Sequence, residues 1–385
     1  MISRRRLLQS ACLLSGSLGL GGLLQACGGT AAGPIASGSI ASGSAAASKS
    51  SQSANPAVSP AAPAASASGK PAASVSSAKP AGSTAPGAPK SLTVGYNTIA
   101  GSMWPLWMAD AIHAFADYHL DVKVQFVEAA TSVTALISRD LDLLQAGGPP
   151  VLTAGLAGQD VVFVASALNR AIISLYTLNT IKTPDDLKGK TIASDKPGSP
   201  LDYAMRIALA KQGLKDTDLT VLRIGSEAVF PTMLAGKVEG GMVAPPLSFT
   251  AETKGFHNFQ DTFDTPYQNT CIVATRSHLQ QIGGSMPAFL AAYRQGIIAL
   301  KQQPDLALKV LQQYSKETDP NILKRTYDFY LGKTPFDESL QPNVQGIQGM
   351  LGYFADFIPA AKTAKAEQFV DASYIAPALA LPKPS

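Results

Sequence analysis

A strand-then-helix alternation begins at Ser91, runs to Ala165, and starts again at Thr191. Ser91 to Tyr96 sets Leu92, Val94 and Tyr96 between polar or small residues, the period of a strand. A small-residue loop follows. Ser102 reads as a helix N-cap, and Pro105 falls in the first helical turn, where its missing N–H costs nothing. Trp104, Met108, Ile112 and Phe115 then recur at helical spacing. Asp121 to Val127 alternates as a second strand, and Thr131 caps a short helix through Ser138. Asp142 to Ala146 is a strand broken by Gly147-Gly148-Pro149-Pro150, and Val161 to Ala165 has the pattern of a buried strand. Strands alternating with helices predict a parallel sheet with crossover connections.

The second unit repeats this architecture without repeating the sequence. Thr191 to Ala193 is a strand, Lys196 to Pro200 a loop, and Leu201 to Gln212 a helix stopped by Gly213. Leu219 to Ile224 is a strand, and Ala228 to Ala235 a helix ended by Gly236. Val238 to Ala244 is a strand ended by Pro245-Pro246. Thr270 to Ala274 returns as a strand, and from Met286 the chain is nearly all helical, with a last helix near Gln341 to Phe357. The expected fold is therefore α/β and two-lobed. Lobe 1 is residues 91–175 plus 270–385, and lobe 2 is residues 176–269. Hinge crossovers are expected near Ile173 to Asn179 and Asp264 to Thr270. Ligands of open parallel sheets lie beyond the carboxyl ends of the strands, and two lobes can face those ends across one cleft.

The N-terminus reads as an address rather than a fold. Arg4, Arg5 and Arg6 precede an apolar, glycine-rich run from Leu7 to Leu24, the pattern of a secretory signal over residues 1–26. Leu24-Gln25-Ala26-Cys27 resembles the bacterial lipobox, which would place a lipid on Cys27. Ser3 to Gln9 resembles a twin-arginine export signal, and a plain basic n-region fits it equally. Residues 28–90 are almost all Ala, Ser, Pro, Gly and Thr, with four lysines and no acidic residue. Such a segment has nothing to bury and is expected to be a disordered tether spanning about 45 Å root-mean-square.

The formal charge of +4 comes from that tail. Without the three arginines and four tether lysines, the 31 basic residues fall to 24 against 27 acidic ones, a net charge of about −3. This balance argues against a nucleic-acid partner or an anionic-lipid surface. After the signal and lipid claim Cys12 and Cys27, Cys271 stands alone and makes no intrachain disulfide.

Four motifs in order carry a family resemblance. Pro105-Leu106-Trp107-Met108-Ala109 through Leu120-Asp121-Val122, the turn Asp142 to Pro149, Asp186-Leu187-Lys188-Gly189-Lys190, and Leu234 to Glu239 followed by Pro245 cover about residues 91–275. Together they resemble the nitrate–sulfonate–taurine and thiamine-precursor (pyrimidine) substrate-binding proteins of ABC importers. The resemblance implies a type II periplasmic-binding-protein fold. It implies capture of a small organic solute by lobe closure, and a membrane permease with a separate ATPase as partners. Two positions depart from it: His119 stands where the family has glycine, and Glu239-Gly240-Gly241 replaces an Asp-Ala pair. The cysteine-rich motif of pyrimidine-synthesising enzymes on this fold is missing, which disfavours an enzyme. A precursor-processing enzyme and a surface solute sensor are the competing readings.

The candidate site is the set of strand-end loops. Its residues are Asn97, Thr98, Ser102, Trp104, Gly147, Gly148, Asn169, Gly198, Ser199, Pro245 and Gln268. Small residues let backbone approach a ligand, the hydroxyls of Ser102 and Ser199 stand at helix starts, and Trp104 or Tyr96 offers a stacking face. Arg170 and Lys196 are the cations nearest these loops. Gly189-Lys190-Thr191 precedes a strand rather than following one, so it reads as a turn and not a phosphate loop. Asp110, His113 and Asp117 read as a solvated helix face rather than a metal site. No cofactor, metal or catalytic residue is expected, and a lipid-anchored, extracytoplasmic monomer is.

Overall fold

The computed structural model describes residues 90–333 and 335–383. The signal segment, the proposed lipidation of Cys27 and the tether through Pro89 lie outside the described residues. The chain opens with β1 (Lys90–Tyr96), α1 (Trp104–Ala111), α2 (Ala114–Asp117), β2 (Leu120–Phe126), α3 (Ala129–Ile137), β3 (Leu143–Ala146), α4 (Gly148–Leu156) and β4 (Val161–Arg170). It crosses to β5 (Ser174–Leu178), α5 (Pro184–Leu187), β6 (Thr191–Ser194), α6 (Pro200–Lys211), β7 (Thr220–Arg223), α7 (Ser226–Leu234), β8 (Gly240–Val243), α8 (Leu247–Thr253) and β9 (Phe256–Gln260). It returns through β10 (Pro266–Thr275), then α9 (Arg276–Ile282), α10 (Met286–Gln302), α11 (Pro304–Ser315), α12 (Pro320–Gly332), α13 (Val344–Phe354) and α14 (Ile375–Ala380).

Two five-stranded sheets result, ordered β2-β1-β3-β10-β4 and β7-β6-β8-β5-β9. Both are mixed, not purely parallel. β1 runs parallel to β2 and β3, but β10 lies antiparallel between β3 and β4. In the second sheet β5 is antiparallel to β8 and β9. The reason is the connectivity: a strand that carries the chain back from the other sheet needs no helical crossover, so it can run either way. The crossovers lie a few residues before the expected positions, at 171–173 and 261–265. They run side by side, with Thr262 Oγ1 donating to Ile173 O at 2.6 Å and Ala171 N to Thr265 O at 3.3 Å.

The central strands β3, β4, β5, β6, β8 and β10 are buried along nearly their whole length, so each sheet buries both faces. Leu92 and Val94 pack one face of the first sheet against Phe115 of α2 and Phe289 and Tyr293 of α10. Leu144, Phe163 and Val273 pack the other face against Val151 of α4 and Met350 and Phe354 of α13. In the second sheet, Leu175 and Ile192 pack on Met205 and Leu209 of α6, while Tyr176 and Ala193 pack on Val229 and Met233 of α7. Each buried Leu, Ile, Val, Phe or Met among them contributes roughly 1.5–3 kcal/mol. The chain does not finish at Phe357. Val370 bridges Phe163 in β4, and α14 packs Ile375 into the first core.

Three local expectations change. The first helix breaks after Ala111, and His113 takes a left-handed φ of 57°, so Asp110, His113 and Asp117 do not share one helix face. His119 also has a left-handed φ, 59°, which is why glycine suits that position. Thr131 sits inside α3, its hydroxyl bonded to Glu128 O, rather than capping it.

A close helix approach sets a prediction. A Cβ on Gly296 of α10 would stand 2.3 Å from Pro105 O and 2.7 Å from Ala109 N of α1. Both atoms are backbone and neither can swing away. Gly296→Ala should therefore destabilise by about 1–3 kcal/mol despite the better helix propensity of alanine. Urea melts check this; a stability gain would mean that α1 and α10 have room to separate.

Candidate functional site

The carboxyl ends of both sheets lead into loops that meet. In the first sheet β1 ends at Tyr96, and Asn97 turns inward, donating Nδ2 to Ser132 Oγ at 3.1 Å. Thr98 is half-buried and Ile99, 44 % exposed, forms the loop tip. Gly101 N then donates to Pro245 O at 3.3 Å, joining the β1–α1 loop to the β8–α8 loop of the second sheet. Gly101 must be small there, because a Cβ would lie 2.3 Å from the Tyr330 ring. Ser102 does not cap a helix. It lies in a 3₁₀ turn, Gly101–Met103, and its carbonyl accepts from Thr270 Oγ1 at 3.1 Å.

The second meeting point is at the starts of α4 and α6. Gly147 has extended backbone and N-caps α4, followed by Pro149 and Pro150. It is half-buried, and a Cβ on it would stand 3.4 Å from the Pro200 ring and 3.8 Å from the Tyr267 hydroxyl. Across from it Gly198 adopts φ +81°, which only glycine tolerates freely, and Ser199 N-caps α6 by accepting from Asp202 N at 3.2 Å. Ser102, Gly147, Gly198, Ser199 and Pro245 thus lie at a seam where loops of the two sheets meet, and Asn97 and Thr98 precede Ser102 on the same β1–α1 loop.

Four expected site residues are not brought to this seam. Trp104 is wholly buried in the first core, its indole N–H donating to Ala307 O at 3.2 Å, so it has no face to offer a ligand. Gly148 packs instead of opening space, since a Cβ there would meet Gln268 O at 2.7 Å. Gln268 commits Oε1 to Asn343 N at 2.6 Å. Asn169 accepts from Ser166 Oγ at 2.8 Å, donates to Gln341 O at 3.0 Å, and takes Asn343 Nδ2 on its carbonyl at 2.9 Å. Gln268 and Asn169 therefore anchor the start of α13. Asn169 and the exposed Arg170 border a separate open groove of about 640 Å³ with Lys301 and Glu338.

Sequence reasoning missed the charged centre of the seam. The Asp202 carboxylate, with no exposed surface, accepts from Tyr353 OH at 2.6 Å, Arg223 Nη1 at 2.7 Å, Gly198 N at 3.2 Å and Arg206 Nε at 3.3 Å. Burial alone would raise its carboxyl, but the bonds from Tyr353, Arg223 and Gly198 and the Arg206 charge outweigh it and hold it below the usual carboxylate range. Asp216 takes Arg206 at 2.8 Å and Arg223 at 3.7 Å. Both guanidiniums are therefore paired with carboxylates. Tyr203 of α6 stacks on Tyr267 of β10 at 5.3 Å, and burial pushes its phenol up to about 12. The only sequence signal for Asp202 was its place in the first turn of a helix after Gly198-Ser199. Among the described residues no group of His, Cys, Asp or Glu could hold a metal ion, and no helix is long and apolar enough to cross a membrane.

A family model described as NMT1/THI5 like matches residues 102–307, more than half of the chain. The chain belongs to the NMT1/THI5-like family. The match takes in the seam residues from Ser102 to Tyr267 and stops before α12 and α13, so Tyr353 lies outside the part this NMT1/THI5-like protein shares with the family model. Solved structures agree on the fold, a type II periplasmic-binding-protein fold. The periplasmic aliphatic sulphonate binding protein SsuA from Escherichia coli is 21 % identical with a TM-score of 0.61, over 73 % of this chain and 97 % of that one. The alkanesulfonate-binding protein SsuA from Xanthomonas axonopodis pv. citri, bound to MOPS, is 22 % identical with a TM-score of 0.60, over 76 % and 98 %. The periplasmic nitrate-binding protein NrtA from Synechocystis PCC 6803 is 17 % identical with a TM-score of 0.59, over 76 % and 90 %. No curated protein sequence matches this chain significantly.

Proposed function

We propose that this NMT1/THI5-like protein is the extracytoplasmic solute-binding component of an ABC importer. The observation that carries the reading is the seam: strand-end loops of two sheets meet at Gly101–Pro245 and at Gly147–Pro200, while among the described residues two adjacent crossovers carry the chain between the sheets. Such an arrangement suits two lobes that close on a ligand by hinge rotation at 171–173 and 261–265. The solute is a small organic molecule with a sulfonate-, nitrate- or taurine-like oxyanion or a pyrimidine-like ring. The SsuA and NrtA likenesses support that range. A permease with a separate ATPase would receive it, and a lipid on Cys27 would hold the monomeric binder at the membrane. The protein would perform no chemistry on its cargo.

Thermal shift with ethanesulfonate, taurine, nitrate and a hydroxymethylpyrimidine tests the reading. A true solute at 100 times its dissociation constant should add about 2.7 kcal/mol of stability. Mass spectrometry of the recovered solute should find it unchanged. Conversion of the solute would make the protein an enzyme, and no shift with any of the four would reject this solute range.

A further inference from the structure

We propose that Tyr267 is a solute-contacting residue of the seam, its hydroxyl donating a hydrogen bond to an acceptor atom seated beside Gly147 and Pro200. The assignment rests on the solute-binding reading and narrows it to a solute that presents an acceptor at this point.

Tyr267 lies near the start of β10, just after the second crossover, and is 3 % exposed. Its hydroxyl finds no hydrogen-bond partner among the described residues. A buried phenol without a partner is uncommon in a folded protein and asks for an explanation. Its position supplies one. The hydroxyl lies 3.8 Å from where a Gly147 side chain would begin, and Pro200 Cγ lies 3.4 Å from the same point. Gly147 caps the nine-residue α4, and Pro200 is the first residue of the twelve-residue α6, so the hydroxyl and the start of α6 both lie beside the N-cap of α4.

The surroundings select for a donor. Burial holds the Tyr267 phenol well above its ordinary pKa, so it keeps its proton at neutral pH. The stack on Tyr203 fixes the ring plane, so little rotamer freedom remains to be lost on binding. An oxyanion oxygen and an unprotonated ring nitrogen share the required chemistry.

The test is Tyr267→Phe in the full chain, read two ways. Without solute, the variant should melt at the wild-type temperature or above, because the deleted hydroxyl has no partner to lose. With solute, ethanesulfonate and a hydroxymethylpyrimidine serve as the oxyanion and ring-nitrogen probes. Whichever shifts the wild type should bind the variant at least tenfold more weakly. An unchanged affinity would overturn the assignment while leaving the solute-binding reading intact. A lower melting temperature without solute would also overturn it, since the hydroxyl would then have a structural partner. If none of ethanesulfonate, taurine, nitrate and the hydroxymethylpyrimidine binds the wild type, the reading beneath the assignment fails, and the assignment with it; if only taurine or nitrate binds, that solute serves as the oxyanion probe.

Discussion

Trp104→Ala is expected to destabilise the protein by about 3–5 kcal/mol, the range for emptying a buried tryptophan site. The indole sits edge-on to Tyr327 at 5.9 Å and to Tyr330 at 6.3 Å, with no exposed surface. Its N–H also ties α1 to α11 through Ala307 O. Alanine removes the ring and leaves that carbonyl without its donor, and neighbouring aromatic rings collapse poorly into the space. Equilibrium urea unfolding measures the loss. Molecules that remain folded should bind solute within about twofold of wild type, because the ring never reaches the seam. This reverses the sequence-based expectation, in which Trp104 stacked on the ligand. Loss of affinity without loss of stability would restore it.

Asp202→Asn should cost roughly 2–3 kcal/mol at neutral pH. Breaking a fully buried pair costs about 3–5 kcal/mol. Here Arg206 and Arg223 keep 33 % and 29 % of their side-chain surface in water, so screening lowers the figure. The asparagine amide would also turn a donor toward groups that all donate. The pH dependence identifies the cause. The Asp202 carboxyl is held below its unfolded value, so its contribution is fully present above about pH 4 and fades as pH falls through the lowered folded value. The stability gap between wild type and variant should therefore narrow as urea melts move from pH 7 toward pH 3. A gap that stays constant would mean that shape, not charge, holds the cluster together. Because Tyr353 comes from α13 on the first sheet, the same variant should loosen the seam.

Much of the fold was legible because local signals and burial agree. Leu92 and Val94 alternate, and both are core. Gly213 and Gly236 end their helices with positive φ, as glycine after a helix should. Pro304 and Pro320 open α11 and α12. Strand direction was not legible, because the partners of β10 are distant in sequence and its own residues do not say which way it runs. The short elements α8, β9, α9 and α14 carry too few periods to read. Within the site, loops could be placed but side chains could not. A glutamine beside an asparagine, Gln268-Asn269, looks the same whether it greets a ligand or anchors α13. An aromatic in a first helical turn, Trp104, has the same spacing whether it faces a core or a cleft. Tyr267 was overlooked because a lone tyrosine entering a strand has no motif; only its unpartnered hydroxyl marks it.

The strand β10 has one more consequence, for the order of synthesis. It sits inside the first sheet, bonded to β3 on one side and β4 on the other. A nascent chain that has emerged only as far as β9 holds a complete second sheet and a first sheet with a gap between β3 and β4. The inserted unit can fold on the way, while the outer one waits for Thr275. Closing that gap joins residues far apart in the chain, which slows the step and leaves strand edges bare until it is done. A fragment ending at Gln260 should therefore protect the amides of β5 to β9 from hydrogen exchange while leaving β4 exchanging freely.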